Sequence, residues 1–353
     1  MTKHLFFVHS ATCVECMYGI MRSKALAQND VIVIAARGIT VPDINVVLEY
    51  PDAWYHFPFF THKYLWNLSW LKSRKYIEQI DSYLDYLCDD NFIFYAQNGR
   101  HYLYRVFISH EKCKDVEYFE DGVDFYFTST MFNIKYPSPL KSRYRIANLI
   151  LSKMLNLGQR VLQYNLVFPD KKGHPGKVYV LSSNSTKHFR VFFSEIEIID
   201  TAQSISTFDI AYNTVICMSA LEEQRIAPNN HVMDSYIAWL LTESISQVSL
   251  KFHPAQNNDT RNYVQMRLIN AGFEVDVIDD DVLMESKFKS FGSDFKVVGC
   301  GSSLLIYALE KSKDCQIYAL YEQIESRTGM TPRSKQWRNS FSHINNKRFN
   351  IVR

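Results

Sequence analysis

The chain has 353 residues, of which 47% are hydrophobic and 22% charged, and it carries a formal net charge of +2 at pH 7. These values are typical of a globular protein with room for two domains, and a charge so close to zero argues against a dedicated nucleic-acid binder. No apolar run reaches the ~20 residues needed to span a bilayer, the N-terminus lacks the pattern of a signal peptide, and the cysteines are scattered in a way that indicates reduced thiols.

The first half of the chain alternates between short apolar runs and segments with helical spacing. Strands are predicted over residues 5–8, 31–36, 92–95, 116–119 and 178–181, and helices over residues 13–28, 73–88 and 138–157. This alternation is typical of a parallel sheet covered by helices on both faces. An aromatic segment over residues 54–76 interrupts it, and we expect most of those rings to pack in a core, with stacking on sugars or lying in a membrane interface as the alternatives.

The second half repeats the alternation after a stretch without clear periodicity at residues 202–207. Strands are predicted over residues 214–218, 248–252, 273–278 and 295–298, with helices over 259–271 and after Ser303. We therefore expect an N-terminal domain over residues 1–205 and a C-terminal domain over residues 206–330. Residues 331–353 are predicted to form a basic tail, because residues 327–353 include seven Lys or Arg and no Asp or Glu.

Two adjacent carboxylates follow a predicted strand at Glu120-Asp121-Gly122. In open parallel sheets, ligands bind beyond the carboxyl ends of the strands, where a carboxylate can act as a general base. The same three residues also suit an ordinary turn. Ser10 and Asn98 follow two other strands of this half, and each is predicted either to contact the ligand at this edge or to serve only as a turn residue.

A histidine and a pair of serines follow strands in the second half. His253-Pro254 comes directly after a buried strand, whereas a second His-Pro pair, His174-Pro175, lies in a polar turn. Gly301-Ser302-Ser303 precedes a helix, whose N-terminus is a ready site for a phosphate. The alternative is that Ser302 merely caps that helix, and Ser182-Ser183, which runs into a loop, is the weaker serine pair.

These three motifs, in this order and at strand ends, resemble those of the bacterial sialyltransferases, which adopt the GT-B fold. The resemblance implies an α/β protein with two Rossmann-like domains whose parallel sheets face a central cleft. It implies that Glu120 is the general base, with Asp121 as the fallback, and that His253 assists the departure of the CMP phosphate. It further implies that Gly301, Ser302 and Ser303 hold this phosphate, while Gly122 and Pro254 shape the two turns.

The function implied is inverting transfer of sialic acid from CMP-sialic acid to a terminal sugar, expected to be galactose, of a bacterial surface glycan such as lipopolysaccharide, O-antigen or capsule. The acceptor is expected to be lipid-linked, with contact between the basic tail and an anionic membrane. We expect no cofactor and no metal ion, because Cys13 and Cys16 have CxxC spacing without a second ligand pair. We expect the protein in the cytoplasm or at the inner face of the bacterial inner membrane.

Two alternatives remain open at this point. A GT-B glycosyltransferase that uses another donor, such as CMP-Kdo or a UDP-sugar, would have the same layout. A glycan- or membrane-binding protein with a Rossmann-like half and no catalytic turnover would share fewer of the motifs.

Overall fold

The structure is a computed structural model. It describes the following residues: 2–36, 39, 41, 43–44, 47–49, 69–97, 102–121, 176–182, 193–200, 209–280, 282–342, 344 and 346–353. The chain divides into two units. Unit 1 comprises Met1–Asp121 and Ser129–Asp200, and unit 2 comprises Gly122–Thr128 and Thr201–Arg353.

The described part of unit 1 contains a parallel sheet with the strand order β3-β2-β1-β4-β5-β6-β7. The strands are β1 (Lys3–Val8), β2 (Val31–Ala35), β3 (Val47–Glu49), β4 (Phe92–Ala96), β5 (Cys113–Phe119), β6 (Lys177–Val180) and β7 (Glu195–Ile198). The helices are α1 (Ala11–Ser23), α2 (Ser69–Leu87) and α3 (Tyr102–Ile108). β2 and β3 are added on one side of β1, whereas β4 to β7 are added on its other side. The direction in which strands are added therefore reverses between β1 and β4.

The central strands of this sheet form where runs of apolar, often β-branched residues occur. β2 has the sequence VIVIA and is buried at every position, as expected of a parallel strand that is covered on both faces. α1 begins immediately after β1, because the Ser10 side chain caps it by accepting a hydrogen bond from the Cys13 backbone N–H at 3.3 Å. The polar residues at the carboxyl end of β1 are therefore held close to the first turn of α1.

The described part of unit 2 contains a second parallel sheet, with the strand order β10-β9-β8-β11-β12-β13. The strands are β8 (Thr214–Cys217), β9 (Gln247–Lys251), β10 (Glu274–Ile278), β11 (Lys296–Gly299), β12 (Gln316–Ala319) and β13 (Phe349–Ile351). The helices are α4 (Asn229–Thr242), α5 (Asn258–Asn270), α6 (Met284–Lys287), α7 (Leu304–Lys311), α8 (Tyr321–Thr328) and α9 (Pro332–Phe341). The order reverses between β8 and β11, as it does between β1 and β4 in unit 1.

The two parallel sheets confirm the predicted α/β fold class with Rossmann-like strand orders. The predicted helix over residues 138–157 lies outside the described residues, as does most of the aromatic segment over residues 54–76. The predicted boundary at residue 205 also falls outside them and stays a prediction. Within the described ranges, the chain has no helix with both the length and the apolar character required to cross a membrane.

The interpretation of residues 331–353 as a separate basic tail is wrong, because these residues belong to unit 2. α9 buries Trp337 and Phe341, and β13 pairs with β12 at the edge of the sheet. Arg338 forms an ion pair with Glu325, and Arg348 donates hydrogen bonds to backbone carbonyls such as that of Ser312 at 3.0 Å. Part of the positive charge of this segment is therefore used inside the fold.

Candidate active site

The carboxyl edge of the unit 1 sheet brings together the ends of β1 and β5. His9 and Ser10 follow β1, Glu120 and Asp121 follow β5, and β4 lies between these two strands. The gap between β1 and β4 is the point where the strand order reverses, which is where doubly wound sheets bind their ligands. A site at this edge is therefore built from segments more than a hundred residues apart.

The Glu120 side chain is completely buried, with a relative exposure of 0%. Its Oε2 accepts a hydrogen bond from the Leu181 backbone N–H at 2.8 Å, and its own backbone N–H donates to the Tyr179 carbonyl at 2.9 Å. These contacts join the ends of β5 and β6. The Glu120 carboxylate thus accepts a hydrogen bond from a backbone N–H in the interior of unit 1.

The Asp121 side chain is 25% exposed and has polar side chains around both oxygens. Its Oδ2 lies 3.3 Å from His9 Nε2. Its Oδ1 lies 3.3 Å from the Ser10 hydroxyl and 3.4 Å from the Cys13 thiol. Of the two adjacent carboxylates, Asp121 is the one that solvent reaches.

Cys13 lies at the centre of this cluster and is fully buried. Its Sγ accepts a hydrogen bond from Gln97 Nε2 at 3.3 Å and lies 3.4 Å from His9 Nδ1. Burial is the largest cause of a pKa for the Cys13 thiol well above its ordinary value, and the negative charge of Asp121 is the next largest. The thiol therefore keeps its proton at neutral pH and can donate it to a neighbour.

His9, Cys13 and Asp121 each offer a metal-ligand atom, and these atoms lie within 4.8 Å of one another. A bound metal ion would itself deprotonate the Cys13 thiol, so these three residues could hold one. The three groups are within hydrogen-bonding range of one another. We interpret them as a hydrogen-bonded cluster, and the absence of a metal requirement in the reaction stays a prediction.

His253 lies at the carboxyl edge of the unit 2 sheet, two residues beyond β9. Its Nδ1 accepts a hydrogen bond from the Ala255 backbone N–H at 3.0 Å, and its own backbone N–H donates to Gln256 Oε1 at 2.8 Å. An acceptor at Nδ1 in the neutral ring places the proton on Nε2. Pro254 is exposed in the same turn, so the turn both fixes the tautomer of the imidazole and sets its direction.

Gly301, Ser302 and Ser303 follow β11 and lead into α7. Ser302 Oγ accepts a hydrogen bond from the Leu304 backbone N–H at 3.2 Å, which is a turn contact, while Ser303 is the residue at the N-cap position. Within the described part of the chain, the Ser303 side chain makes no capping hydrogen bond. Ser302 thus makes a contact of the kind that the capping alternative predicts, whereas Ser303 does not.

Gly301 lies against the indole ring of Trp337 from α9. A Cβ atom added at Gly301 would approach Trp337 Cε2 to 2.1 Å, which no real structure tolerates. Only glycine fits beneath this ring, and Trp337 in turn fixes the course of the loop that carries the serines. The segment once predicted to be a tail thus supports the candidate phosphate site.

The carboxyl ends of β9, β8 and β11 lie at one level. Lys251 pairs with Cys217, and Cys217 pairs with Gly299. Two residues beyond this level, the chain reaches His253 after β9 and Gly301 after β11. β9 and β11 lie on either side of β8 in the sheet. The structure therefore places the His-Pro and Ser-Ser motifs at the same edge of one sheet, as the sequence predicted from their order.

Two predicted site residues, Gly122 and Asn98, lie outside the described residues, as do His174, Pro175 and Ser183 of the two weaker motifs. Sequence reasoning missed His9, Cys13 and Gln97. His9 carried a usable signal, since it directly precedes Ser10 at the end of a predicted strand. Gln97 carried the same signal, since it directly precedes Asn98 after a predicted strand, and Cys13 carried only its CxxC spacing with Cys16, which does not indicate a contact with Asp121.

Two Rossmann-like sheets with polar side chains gathered at the carboxyl ends of their strands define an α/β protein of the GT-B class. A sequence model of the alpha-2,8-polysialyltransferase family matches residues 43–321. The chain belongs to this family, and the expected class of enzyme, a sialyltransferase among the glycosyltransferases, is confirmed. A comparison with curated protein sequences finds no match.

Solved structures resemble the chain over nearly its whole length. The UDP-GlcNAc 2-epimerase of Methanocaldococcus jannaschii, in complex with UDP-GlcNAc and UDP, has a TM-score of 0.51 at 9% identity, covering 98% of this chain and 94% of that one. A sialyltransferase from Photobacterium damsela has a TM-score of 0.49 at 12% identity, covering 100% and 81%. An alpha/beta-galactoside alpha-2,3-sialyltransferase from Photobacterium phosphoreum has a TM-score of 0.47 at 12% identity, covering 99% and 98%. At such identities the likeness concerns the fold alone.

Proposed function

We propose that the protein transfers sialic acid from CMP-sialic acid to the terminal sugar of a glycan. The observation that carries this proposal is the match of residues 43–321 to the alpha-2,8-polysialyltransferase family. The strand-end clusters of the two units contain the residue types that the reaction needs: a carboxylate for the acceptor hydroxyl, and an imidazole and hydroxyls for the departing phosphate.

In unit 1, Asp121 is the group that takes the proton from the acceptor hydroxyl. The choice of Asp121 over Glu120 is supported by exposure, since Asp121 is 25% exposed while Glu120 is completely buried on the Leu181 N–H. A general base must come within hydrogen-bonding reach of the proton that it removes. Glu120 is assigned to holding the ends of β5 and β6 together.

In unit 2, His253 and the serines bind the CMP moiety. As the bond between the sugar carbon and the phosphate oxygen breaks, the oxygen gains negative charge, which His253 Nε2–H stabilises by donating a hydrogen bond or its proton. Ser302, Ser303 and the N-terminus of α7 hold the phosphate, and Gly301 lets the backbone approach it. These groups can supply the charge stabilisation for which other transferases use a metal ion.

The acceptor sugar follows from the family rather than from the site. The sequence analysis expected galactose, whereas the family description favours a terminal sialic acid joined through an alpha-2,8 linkage. The predicted contact with an anionic membrane has lost part of its support, because Arg338 and Arg348 are engaged within unit 2. A lipid-linked acceptor remains a proposal that does not need this contact.

The test is a transfer assay with CMP-sialic acid and two acceptors, one ending in galactose and one in alpha-2,8-linked sialic acid. We expect product with the sialylated acceptor. Thermal melting with CMP, UDP and GDP identifies the nucleotide, since a ligand at 100 times its Kd stabilises by about 2.7 kcal/mol. Stabilisation by UDP but not CMP would instead indicate a UDP-sugar donor, and no response to any nucleotide would support a binding protein without turnover.

A further inference from the structure

The Asp121 carboxylate is held by a chain of side chains from β1 and α1. We propose that His9 is a positioning residue that orients Asp121, and that the Cys13 thiol supports the Nε2–H tautomer of the His9 ring by donating a hydrogen bond to Nδ1. The catalytic part of this role rests on the proposed function of Asp121. The hydrogen-bonding part does not, and can be measured without any activity.

The argument begins with the protons available to the cluster. Ser10 has one hydroxyl proton, Cys13 has one thiol proton, and a neutral His9 ring has one N–H. The Cys13 sulfur already accepts a hydrogen bond from Gln97 Nε2 at 3.3 Å. Its thiol proton remains to be placed. The Ser10 hydroxyl is 3.1 Å from the sulfur but already accepts a hydrogen bond from the Cys13 backbone N–H, which leaves His9 Nδ1 and Asp121 Oδ1 as the other acceptors within reach.

The thiol proton of Cys13 can point at Asp121 Oδ1 or at His9 Nδ1, each 3.4 Å from the sulfur. If it points at His9 Nδ1, the ring proton is on Nε2 and is donated to Asp121 Oδ2 at 3.3 Å. If the ring proton is on Nδ1 instead, a bare Nε2 lone pair faces a carboxylate oxygen, wherever the thiol proton points. Two acceptors facing each other repel, and the His9 side chain is only 11% exposed, so the Nε2–H tautomer is favoured, and a thiol proton directed at His9 Nδ1 supports it.

The remaining contacts are compatible with that arrangement. The Ser10 hydroxyl lies 3.1 Å from the Cys13 sulfur and 3.3 Å from Asp121 Oδ1, and donation of its single proton to the charged carboxylate holds the second oxygen. The Phe7 ring meets the His9 ring edge-on, with centroids 6.3 Å apart, and limits the orientations that the imidazole can adopt. The chain of donors then runs from Cys13 to His9 to Asp121, and both carboxylate oxygens are held.

Orientation matters because a misplacement of about 1 Å in a reacting group can cost on the order of 10²-fold in rate. His9 does not itself remove the acceptor proton; it keeps the Asp121 lone pair in place. Loss of His9 should therefore reduce kcat and leave the binding of the donor almost unchanged, because the donor nucleotide is assigned to unit 2.

The activity test compares His9→Ala with His9→Gln, whose amide N–H can replace Nε2–H as the donor. We expect His9→Ala to lower kcat by about 10²-fold with the KM for CMP-sialic acid within about twofold, and His9→Gln to recover a large part of the loss. A kcat for His9→Ala within about threefold of the parent would overturn the proposal. So would equal losses in the two variants.

Cys13 has a matched control on the same helix. Cys16 is equally buried, but its thiol is directed at the Glu120 backbone carbonyl, 3.4 Å away. Both Cys13→Ala and Cys16→Ala remove one buried sulfur, so a general effect of the cavity should appear in the melting temperature of both. A loss of kcat confined to Cys13→Ala is the expected result, and equal losses in both variants would remove the role of Cys13.

The tautomer can be read from ¹⁵N NMR of the histidine rings, with the His9 signals assigned by their loss in His9→Gln. We expect a neutral ring with the proton on Nε2 in the parent, a changed ¹⁵N shift of Nδ1 in Cys13→Ala, because the ring loses the thiol donor 3.4 Å from that atom, and no change in Cys16→Ala. A proton on Nδ1 in the parent, or a doubly protonated ring, would overturn the assigned chain of donors.

The two kinds of measurement separate the two proposals. If the parent transfers no sialic acid but the tautomers behave as expected, the proposed function fails while the chain from Cys13 to Asp121 stands. If the parent is active and His9→Ala is too, the proposed function stands and the positioning role fails.

Discussion

The two adjacent carboxylates after β5 are expected to separate stability from catalysis. Glu120→Ala removes the acceptor of the Leu181 N–H, which is 2.8 Å from Glu120 Oε2 in the interior of unit 1. A buried donor left without a partner costs roughly 1–3 kcal/mol. Since 1 kcal/mol corresponds to about 2–4 °C in a domain of this size, a loss of about 2 kcal/mol lowers Tm by about 4–8 °C.

Asp121→Asn is expected to show the opposite pattern. The side chain is partly exposed and its contacts are 3.3–3.4 Å long, and asparagine keeps an oxygen that can accept from Ser10 or His9. The cost in stability should therefore remain below about 1 kcal/mol. Removing the carboxylate that accepts the proton should lower kcat by about 10² to 10⁴.

The assay measures Tm and the initial rate of sialyl transfer for both variants and for Glu120→Gln, which keeps the shape of the side chain and an oxygen for Leu181. We expect Glu120→Gln to retain most of its activity after correction for the folded fraction. The reasoning is refuted if Glu120→Gln abolishes transfer without lowering Tm while Asp121→Asn stays within threefold of the parent. In that case Glu120 would be the base despite its burial.

Three further predictions concern unit 2 and the start of β1. His253→Ala should lower kcat by about 10² to 10⁴ at an unchanged Tm, and a rate within threefold of the parent would remove His253 from the mechanism. Gly301→Ala should lower the free energy of unfolding by about 1–3 kcal/mol through overpacking against Trp337. Thermal unfolding should show a smaller loss when the same change is made in a Trp337→Leu background. Gly176→Ala is the control and should show almost no loss, because a Cβ at that position meets nothing within 4 Å. Burial is the main cause, and the charge of a nearby lysine the second, of a pKa for His4 below its ordinary value of 6.5. The unfolded chain therefore binds this proton more readily than the folded protein does. The free energy of unfolding should fall as the pH drops below 6.5. Urea unfolding at pH 7.5 and 5.5 should show less of this loss in His4→Gln, and an identical pH dependence would contradict it.

The sequence by itself determined the class of fold and many of its central strands, whereas edge strands such as β3, β7 and β13 were found only in the structure. The apolar run of β2 and the polar turns that follow the strands required buried parallel strands connected by helices. The His253 and Ser302 motifs could also be placed at one edge of a sheet, since the residues after parallel strands meet at the same edge. Local signals sufficed for these conclusions, because spacing and turn chemistry act over a few residues.

The tertiary structure alone decided which residues of those motifs are accessible and what surrounds them. Adjacent side chains near the end of a strand point in opposite directions, so Glu120 and Asp121 cannot be told apart until β6 brings the Leu181 N–H to one of them. Likewise, His9 and Asp121 meet only because β4 lies between β1 and β5 in the sheet. Trp337 belongs to a segment whose charges indicated an exposed tail, and its place over Gly301 depends on α9 packing back onto unit 2 against α8. Contacts of this kind depend on the order in which distant strands assemble, and neither spacing nor charge along the chain encodes that order.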